Sequence, residues 1–185
     1  MTEPLLICLV GAECSGKTTL AQALAAHFSG LWVPESLRTF CEVHGRTPNK
    51  EEQSEVLECQ LFLETELLAQ ARREACNHVF CDTAPLLTAV YSEYFFSDKS
   101  LYARAHALHS GYSLTILLAP DLPWQPDGIQ RDGPNVRDRV HSLIERELTL
   151  HPRVARISGY GASRLQAAIS AVESLVLIDS RICKT

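Results

Sequence analysis

The chain contains no run of eighteen consecutive apolar residues, so no segment has the length to span a bilayer as a helix. Met1-Thr2-Glu3-Pro4 carries no basic stretch ahead of the first apolar run, which argues against a signal peptide there. Positive charge is not in excess either. The 17 Lys+Arg stand against 22 Asp+Glu, a formal net charge of -5, and this lacks the electrostatic footprint of a protein that coats nucleic acid or a membrane surface. None of the seven cysteines stands in C-x-x-C spacing. Odd in number and scattered, with Cys8 and Cys81 inside strand-like runs, they read as small buried hydrophobes of a reducing cytosol. Repeats and low-complexity tracts are missing as well. These absences leave a cytoplasmic domain without a nucleic-acid or membrane partner, and 185 residues fit one domain, residues 1–185.

What is present is Gly11-Ala12-Glu13-Cys14-Ser15-Gly16-Lys17-Thr18, a complete G-x-x-x-x-G-K-[ST] loop followed by Thr19. The apolar run Leu5-Leu6-Ile7-Cys8-Leu9-Val10 precedes it as a buried strand, and Thr19 to Ala26 follows in helix-forming residues. Glycines let successive backbone N–H groups turn toward phosphate oxygens at a helix N-terminus. Lys17 then reaches the β- and γ-phosphates, and the Thr18 hydroxyl ligates Mg²⁺. The pattern predicts binding of a nucleoside triphosphate.

Strand and helix patterns alternate along the remainder. Strands are predicted at Leu31–Val33, His78–Asp82, Leu114–Leu118 and Arg153–Ser158. Helices are predicted from about Asn49 to Ala75, opened by Thr47-Pro48, then through about His109, from Asn135 to Leu150, and from Ala162 to about Leu175. A loop rich in Pro, Asp and Gly runs from Ala119 to Pro134. Five strands with crossover helices predict an α/β, three-layer fold: a parallel sheet with helices on both faces and a small lid at about 120–137. Ligands in such sheets gather at the carboxyl ends of the strands.

The phosphate loop, then Val33-Pro34-Glu35-Ser36-Leu37-Arg38-Thr39-Phe40, then Cys81-Asp82-Thr83, then Asp121 to Arg131 containing Pro123-Trp124 and Asp127-Gly128, come in the order seen in one family. The chain resembles the ribosylnicotinamide kinase domain of NadR-type proteins, a P-loop NTPase fold. The likeness covers almost the whole sequence, including Ile157-Ser158-Gly159-Tyr160 and Arg164. Two departures stand out. The family strand usually ends Asp-Thr-Asp, and here the second acid is Ala84. No H-x-G-H motif of an adenylyltransferase half occurs, His109-Ser110-Gly111-Tyr112 being the nearest approach. The resemblance therefore implies a kinase alone, serving NAD biosynthesis: ATP and Mg²⁺ as cofactors, and nicotinamide riboside as a nucleoside-like small-molecule acceptor converted to nicotinamide mononucleotide. A kinase for another nucleoside or small alcohol, and a nucleotide-dependent ATPase or GTPase switch, stay open beside it.

The candidate residues have physical roles to fill. Asp82, ending an apolar strand, suits a Mg²⁺-orienting acid or the N-cap of the next helix. Similar nucleoside kinases place at Glu35 an acid that takes the proton of the attacking hydroxyl; its alternative is a surface pair with Arg38, assigned with it to the substrate. Either Glu35 or Asp82 serves as base. An aromatic face at Trp124 and carboxylates at Asp121 and Asp127 suit a cationic pyridinium and a ribose diol, cation–π attraction being worth ~0.5–2 kcal/mol. Arg131 and Arg137 flank Asp132-Gly133-Pro134 as lid arginines that neutralise charge developing on the transferred phosphoryl group. Tyr160 and Arg164 lie where similar kinases seat adenine. Gln60 matches a family glutamine but is read as solvated, and the His106/His109 pair, lacking a third ligand in sequence, as surface.

Overall fold

Alternation in the first apolar run decides which side of the sheet each helix covers. Leu5–Val10 forms β1; Ile7 and Leu9 enter one core, Cys8 and Val10 the other. The computed structural model describes residues 3–125 and 134–182. After β1 come α1 (Lys17–His27), β2 (Leu31–Val33), α2 (Ser36–His44), α3 (Gln53–Arg73), β3 (His78–Asp82), α4 (Pro85–Phe96), α5 (Tyr102–His109), β4 (Leu114–Leu118), α6 (Pro134–Leu148), β5 (Val154–Ile157) and α7 (Gly161–Ile182).

The expected five-stranded parallel sheet is present, in the order β2-β3-β1-β4-β5. Leu20 and Leu24 of α1 and Ala168, Ile169 and Val172 of α7 bury Ile7, Leu9, Phe80 and Ile116 on one face. Leu57 and Ala71 of α3, Leu86 and Val90 of α4 and Ile144 of α6 line the other face. Among the described residues no helix is long and apolar enough to cross a membrane.

Two departures from the sequence pattern have local causes. α2 is an element the pattern did not announce: it is only nine residues long, its composition includes the weak helix formers Thr39, Cys41 and Val43, and it closes on Gly45 at φ 66°. The long helix begins at Gln53, after a turn, and not at Asn49. Asn49 caps that turn reciprocally: its Oδ1 accepts from the Glu52 N–H at 3.0 Å while Glu52 accepts from the Asn49 N–H at 2.8 Å. The last helix runs on to Ile182. Of the two histidines read as surface, His109 is buried and His106 half-buried. His109 is buried with Nε2 on Thr115 Oγ1 at 2.8 Å, and His106 sits between His151 at 3.0 Å and Glu147 at 2.8 Å.

Beneath the β3 side of the sheet lies a polar network. Gln60 is wholly buried and not solvated, and Glu64 lies one turn further along α3, 4% exposed. The Tyr112 hydroxyl donates to both Glu64 oxygens at 2.8 Å, and Gln60 Nε2 donates to Oε1 at 3.1 Å. Burial pushes the Glu64 carboxyl from 4.5 up to about 7, against the pull of Tyr112, Gln60 and Cys81. A carboxyl whose folded pKa is raised holds its proton more tightly in the fold, so this contribution is complete below about pH 4.5 and lost as pH rises through 7. Glu64→Gln should remove that loss. Urea melts at pH 5 and pH 8 should show wild-type stability falling relative to the variant by about 2–3 kcal/mol across the interval; parallel curves would refute the assignment.

Candidate functional site

Every strand in the sheet points its carboxyl end the same way, so the connections after β1, β2, β3 and β4 share one edge. The loop after β1 turns tightly enough to exclude side chains. A Cβ at Gly11 would stand 2.6 Å from Ser15 Oγ and 3.1 Å from the Leu118 carbonyl oxygen, and Gly16 enters α1 at φ 79°. Cys14 adopts φ 56° without being glycine. Its thiol donates to the Gln125 carbonyl at 3.3 Å, which draws the start of the post-β4 loop across the phosphate loop. Ser15 is buried and its Oγ donates to the Ala12 carbonyl at 2.7 Å. Lys17 Nζ donates to the Gly11 and Ala12 carbonyls at 3.0 and 3.3 Å, which leaves the ammonium at the mouth of the loop.

A cavity of about 790 Å³ opens there, with Glu13, Lys17, Thr18 and Thr19 on one side and Glu35, Arg38, Trp32, Tyr91, Phe95 and Phe96 among the residues opposite. Tyr91 and Phe95 stack, centroids 6.1 Å apart and planes 11° off parallel, and Phe95 is 46% exposed. Their i, i+4 spacing on α4, directly after the Asp82 strand, is the signal the sequence carried for this wall.

One acid, Glu35, lines this space, and a second, Asp82, lies buried close enough to act on it electrostatically. Burial raises the Glu35 pKa, Lys17 and Arg38 oppose it, and Asp82 adds to it. Burial also raises that of Asp82, against a hydrogen bond from Thr18 and the charges of Lys17 and Arg38. Asp82 is 1% exposed, and its Oδ1 has no hydrogen-bond partner among the described residues. It does not cap α4, whose N-cap is Ala84 without a side-chain bond. An orphaned buried carboxylate oxygen bonded through its group to the Thr18 hydroxyl fits a hard cation with oxygen ligands. No cluster of three or more His, Cys, Asp or Glu side chains able to hold a metal exists among the described residues, so such a cation would complete its shell with phosphate and water. The next residue, Thr83, holds φ 118°, a conformation costly for a β-branched side chain and a mark of strain at the strand end.

Other candidates are placed differently from expectation. Asp121 is not directed at the cavity. Its Oδ1 accepts from Arg164 Nη1 at 2.6 Å and its Oδ2 from the Gly159 N–H at 2.6 Å. Burial works against ionisation, but these two partners keep its carboxyl below the usual range. Arg164, expected near adenine, is 5% exposed and donates to the carbonyls of Ser15, Ala119 and Gly159 at 2.8, 3.2 and 2.6 Å. It is a strut behind the phosphate loop. Trp124 is half-buried and does not line the cavity, because β4 lies on the β5 side of β1 while the cavity lies toward β2 and β3. Tyr160 is 70% exposed, so its ring is no core plug. Arg137 donates to the Leu122 carbonyl at 2.7 Å, which pins the base of the expected lid. Asp127 and Arg131 lie outside the described residues.

Sheet order, loop and strand-end acid together define an α/β protein with the P-loop NTPase fold. The chain belongs to the family described as an AAA domain, which matches residues 6–160. Solved structures of similar fold include NadR protein in complex with NR (TM-score 0.81, 19% identity, 94% of this chain and 52% of that one). NadR protein in complex with NAD and AMP-PNP gives 0.78, 20%, 94% and 50%. Thymidylate kinase from Ehrlichia chaffeensis gives 0.61, 17%, 94% and 100%. The chain spans about half the length of the NadR chains it matches, and the NadR likeness expected from the motifs holds at the level of the fold. No curated protein matches the chain in sequence.

The Arg164 strut generates a test. Asp121→Asn leaves a buried guanidinium without its counter-charge, so it should cost about 2 kcal/mol, or roughly 4–8 °C in Tm. An acceptor-binding Asp121 would instead raise the acceptor KM and leave Tm in place; calorimetry beside kinetics separates the two.

Proposed function

We propose that the chain is an ATP- and Mg²⁺-dependent phosphotransferase acting on the 5′-hydroxyl of a nucleoside-like small molecule, with nicotinamide riboside as the acceptor and nicotinamide mononucleotide as product. One observation carries this reading: a single cavity joins the phosphate loop, a half-buried acid with raised pKa at Glu35, and an aromatic wall on α4. The fold shared with a NadR protein in complex with NR supports the choice of acceptor.

In this reading the backbone from Glu13 to Thr19 cradles the triphosphate, and the α1 N-terminus adds its partial charge. Lys17 exchanges its carbonyl partners for the β- and γ-phosphates. Thr18 and Asp82 would hold Mg²⁺, which when bound neutralises charge on the phosphates. The acceptor ring lies against Tyr91 and Phe95, whose faces suit a flat cation, and its ribose reaches toward Arg38 and Glu35. Glu35 takes the hydroxyl proton as the oxygen approaches the γ-phosphorus. Its raised pKa brings the carboxylate nearer to the basicity that task needs. With Asp82 assigned to the cation, the base is Glu35. Arg137, and Arg131 beyond the described residues, would approach the transferred group from the lid.

This assigns the ring contact to α4 and not to Trp124. Phe95→Ala should raise the KM for nicotinamide riboside about tenfold, equivalent to ~1.4 kcal/mol, with the ATP KM little changed, whereas Trp124→Ala should leave the acceptor KM within about twofold. The reverse pattern in steady-state kinetics returns the ring to the post-β4 loop. Lys17→Ala should lower kcat by at least about a hundredfold with an unchanged melting curve; a variant retaining half its turnover refutes the phosphate-loop role. A wild type that hydrolyses ATP but phosphorylates no nucleoside would replace the kinase by the nucleotide-dependent switch.

A further inference from the structure

Glu35 occupies the N-cap position of α2 yet makes no side-chain capping bond. The first backbone N–H groups of a helix have no partners within it, and a helix whose cap residue is reserved for another task needs its donors satisfied from outside. Here α3 supplies that partner. The Ser36 N–H donates to Gln60 Oε1 at 3.0 Å, and Ser36 Oγ donates to the Val56 carbonyl at 3.0 Å. Ser36 is 3% exposed and Gln60 0%, so water does not compete for either bond.

The far end of Gln60 is fixed as firmly. Its Nε2 donates to Glu64, and Glu64 is held by the Tyr112 hydroxyl. This orients the amide. With the NH₂ turned to the Glu64 oxygen, only Oε1 faces Ser36, and the opposite orientation would set donor against donor. An unbroken chain of hydrogen bonds thus runs from the loop before β4 to the peptide unit adjoining Glu35. The hydrogen bonds at both ends offset the cost of burying this glutamine completely and fix its orientation.

We propose that Gln60 is a positioning residue for phosphoryl transfer: through the Ser36 N–H it fixes the first turn of α2 and so sets the Glu35 carboxylate at its working distance from the acceptor hydroxyl. The inference rests on the proposed kinase reading, with Glu35 as base. It assigns Gln60 no contact with either substrate. Its effect belongs in the chemical step, because a displacement of about 1 Å in a catalytic group costs up to a hundredfold in rate while the loop that binds ATP is anchored separately by Arg164.

Two substitutions test this. Gln60→Met preserves length and apolar packing but offers Ser36 no oxygen; kcat for nicotinamide riboside should fall at least about tenfold, with the ATP KM and the thermal shift produced by Mg·ATP unchanged. Gln60→Glu restores an acceptor for Ser36, but its second oxygen then faces Glu64. Turnover of this variant relative to wild type should therefore recover as pH is lowered from 8 to 6, where the carboxyl pair takes up a shared proton. With the ratio read at a temperature where melting curves show the variant fully folded at both pH values, a group with only a packing role gives no such rescue. Gln60→Met within twofold of wild-type kcat, or Gln60→Glu with a flat activity ratio over that pH range, overturns the proposal while the kinase reading stands. A Gln60→Met chain that loses Mg·ATP binding leaves the decision to the Gln60→Glu ratio alone. A wild type that phosphorylates no nucleoside overturns both.

Discussion

One buried guanidinium holds the working edge of this protein together. Arg164 leaves α7 and reaches carbonyls on the connections that follow β1, β4 and β5, with Asp121 supplying the counter-charge. Removing a charge from water costs several kcal/mol, which good geometry and a full set of acceptors can offset. The planar fork of arginine bonds three carbonyls and a carboxylate at once, where the point charge of lysine would serve fewer. Displacing that fork releases the Ser15 carbonyl, and with it the curvature that aims the loop's N–H groups. The geometry of the whole edge depends on this residue, although in the proposed mechanism it touches no substrate.

The sheet order divides labour across β1. On the β4 and β5 side lie the strut and the exposed Tyr160. On the β3 and β2 side lie Asp82, at the end of β3, and the cavity lined by Glu35 and the aromatic face of α4. Lys17 and Arg38 set the potential felt by both acids. Two carboxylates in one low-dielectric space raise one another's proton affinity unless cations intervene, so the pairs of opposite charge are mutually dependent. In the proposed reaction this arrangement sets a metal-holding acid beside the cavity and a proton-accepting one on its wall.

The phosphate loop, the five parallel strands and the strand-end acid were legible in sequence because each rests on local pattern: glycine spacing, apolar runs, a carboxylate at a strand terminus. What was not legible depends on which side of β1 a loop emerges. Asp121 and Trp124 looked like acceptor residues because they cluster in sequence, but the strand before them lies on the far side of β1 from the cavity. Tyr91 and Phe95 were not singled out, because aromatics at helical spacing carry no mark of which surface they line. Gln60 looked solvated because its partners come from Ser36, 24 positions earlier, and from Glu64, whose own burial rests on Tyr112 a further 48 positions on. Non-local satisfaction of a polar group leaves no trace in composition or period.

The central place of β1 also shapes how the chain is born. This strand is synthesised well before both of its neighbours, β3 and β4: Leu5 lies opposite His78 and Ile7 opposite Leu114. Until those segments leave the ribosome, Leu5–Val10 lacks its native strand partners, although α1 is at hand to cover one of its faces. Parallel pairing over such separations closes slowly and leaves apolar backbone open to other nascent chains. Glu3 and Pro4 stand immediately before the run, a charge and a residue without an N–H, the kind of pair that discourages intermolecular strand addition during that interval.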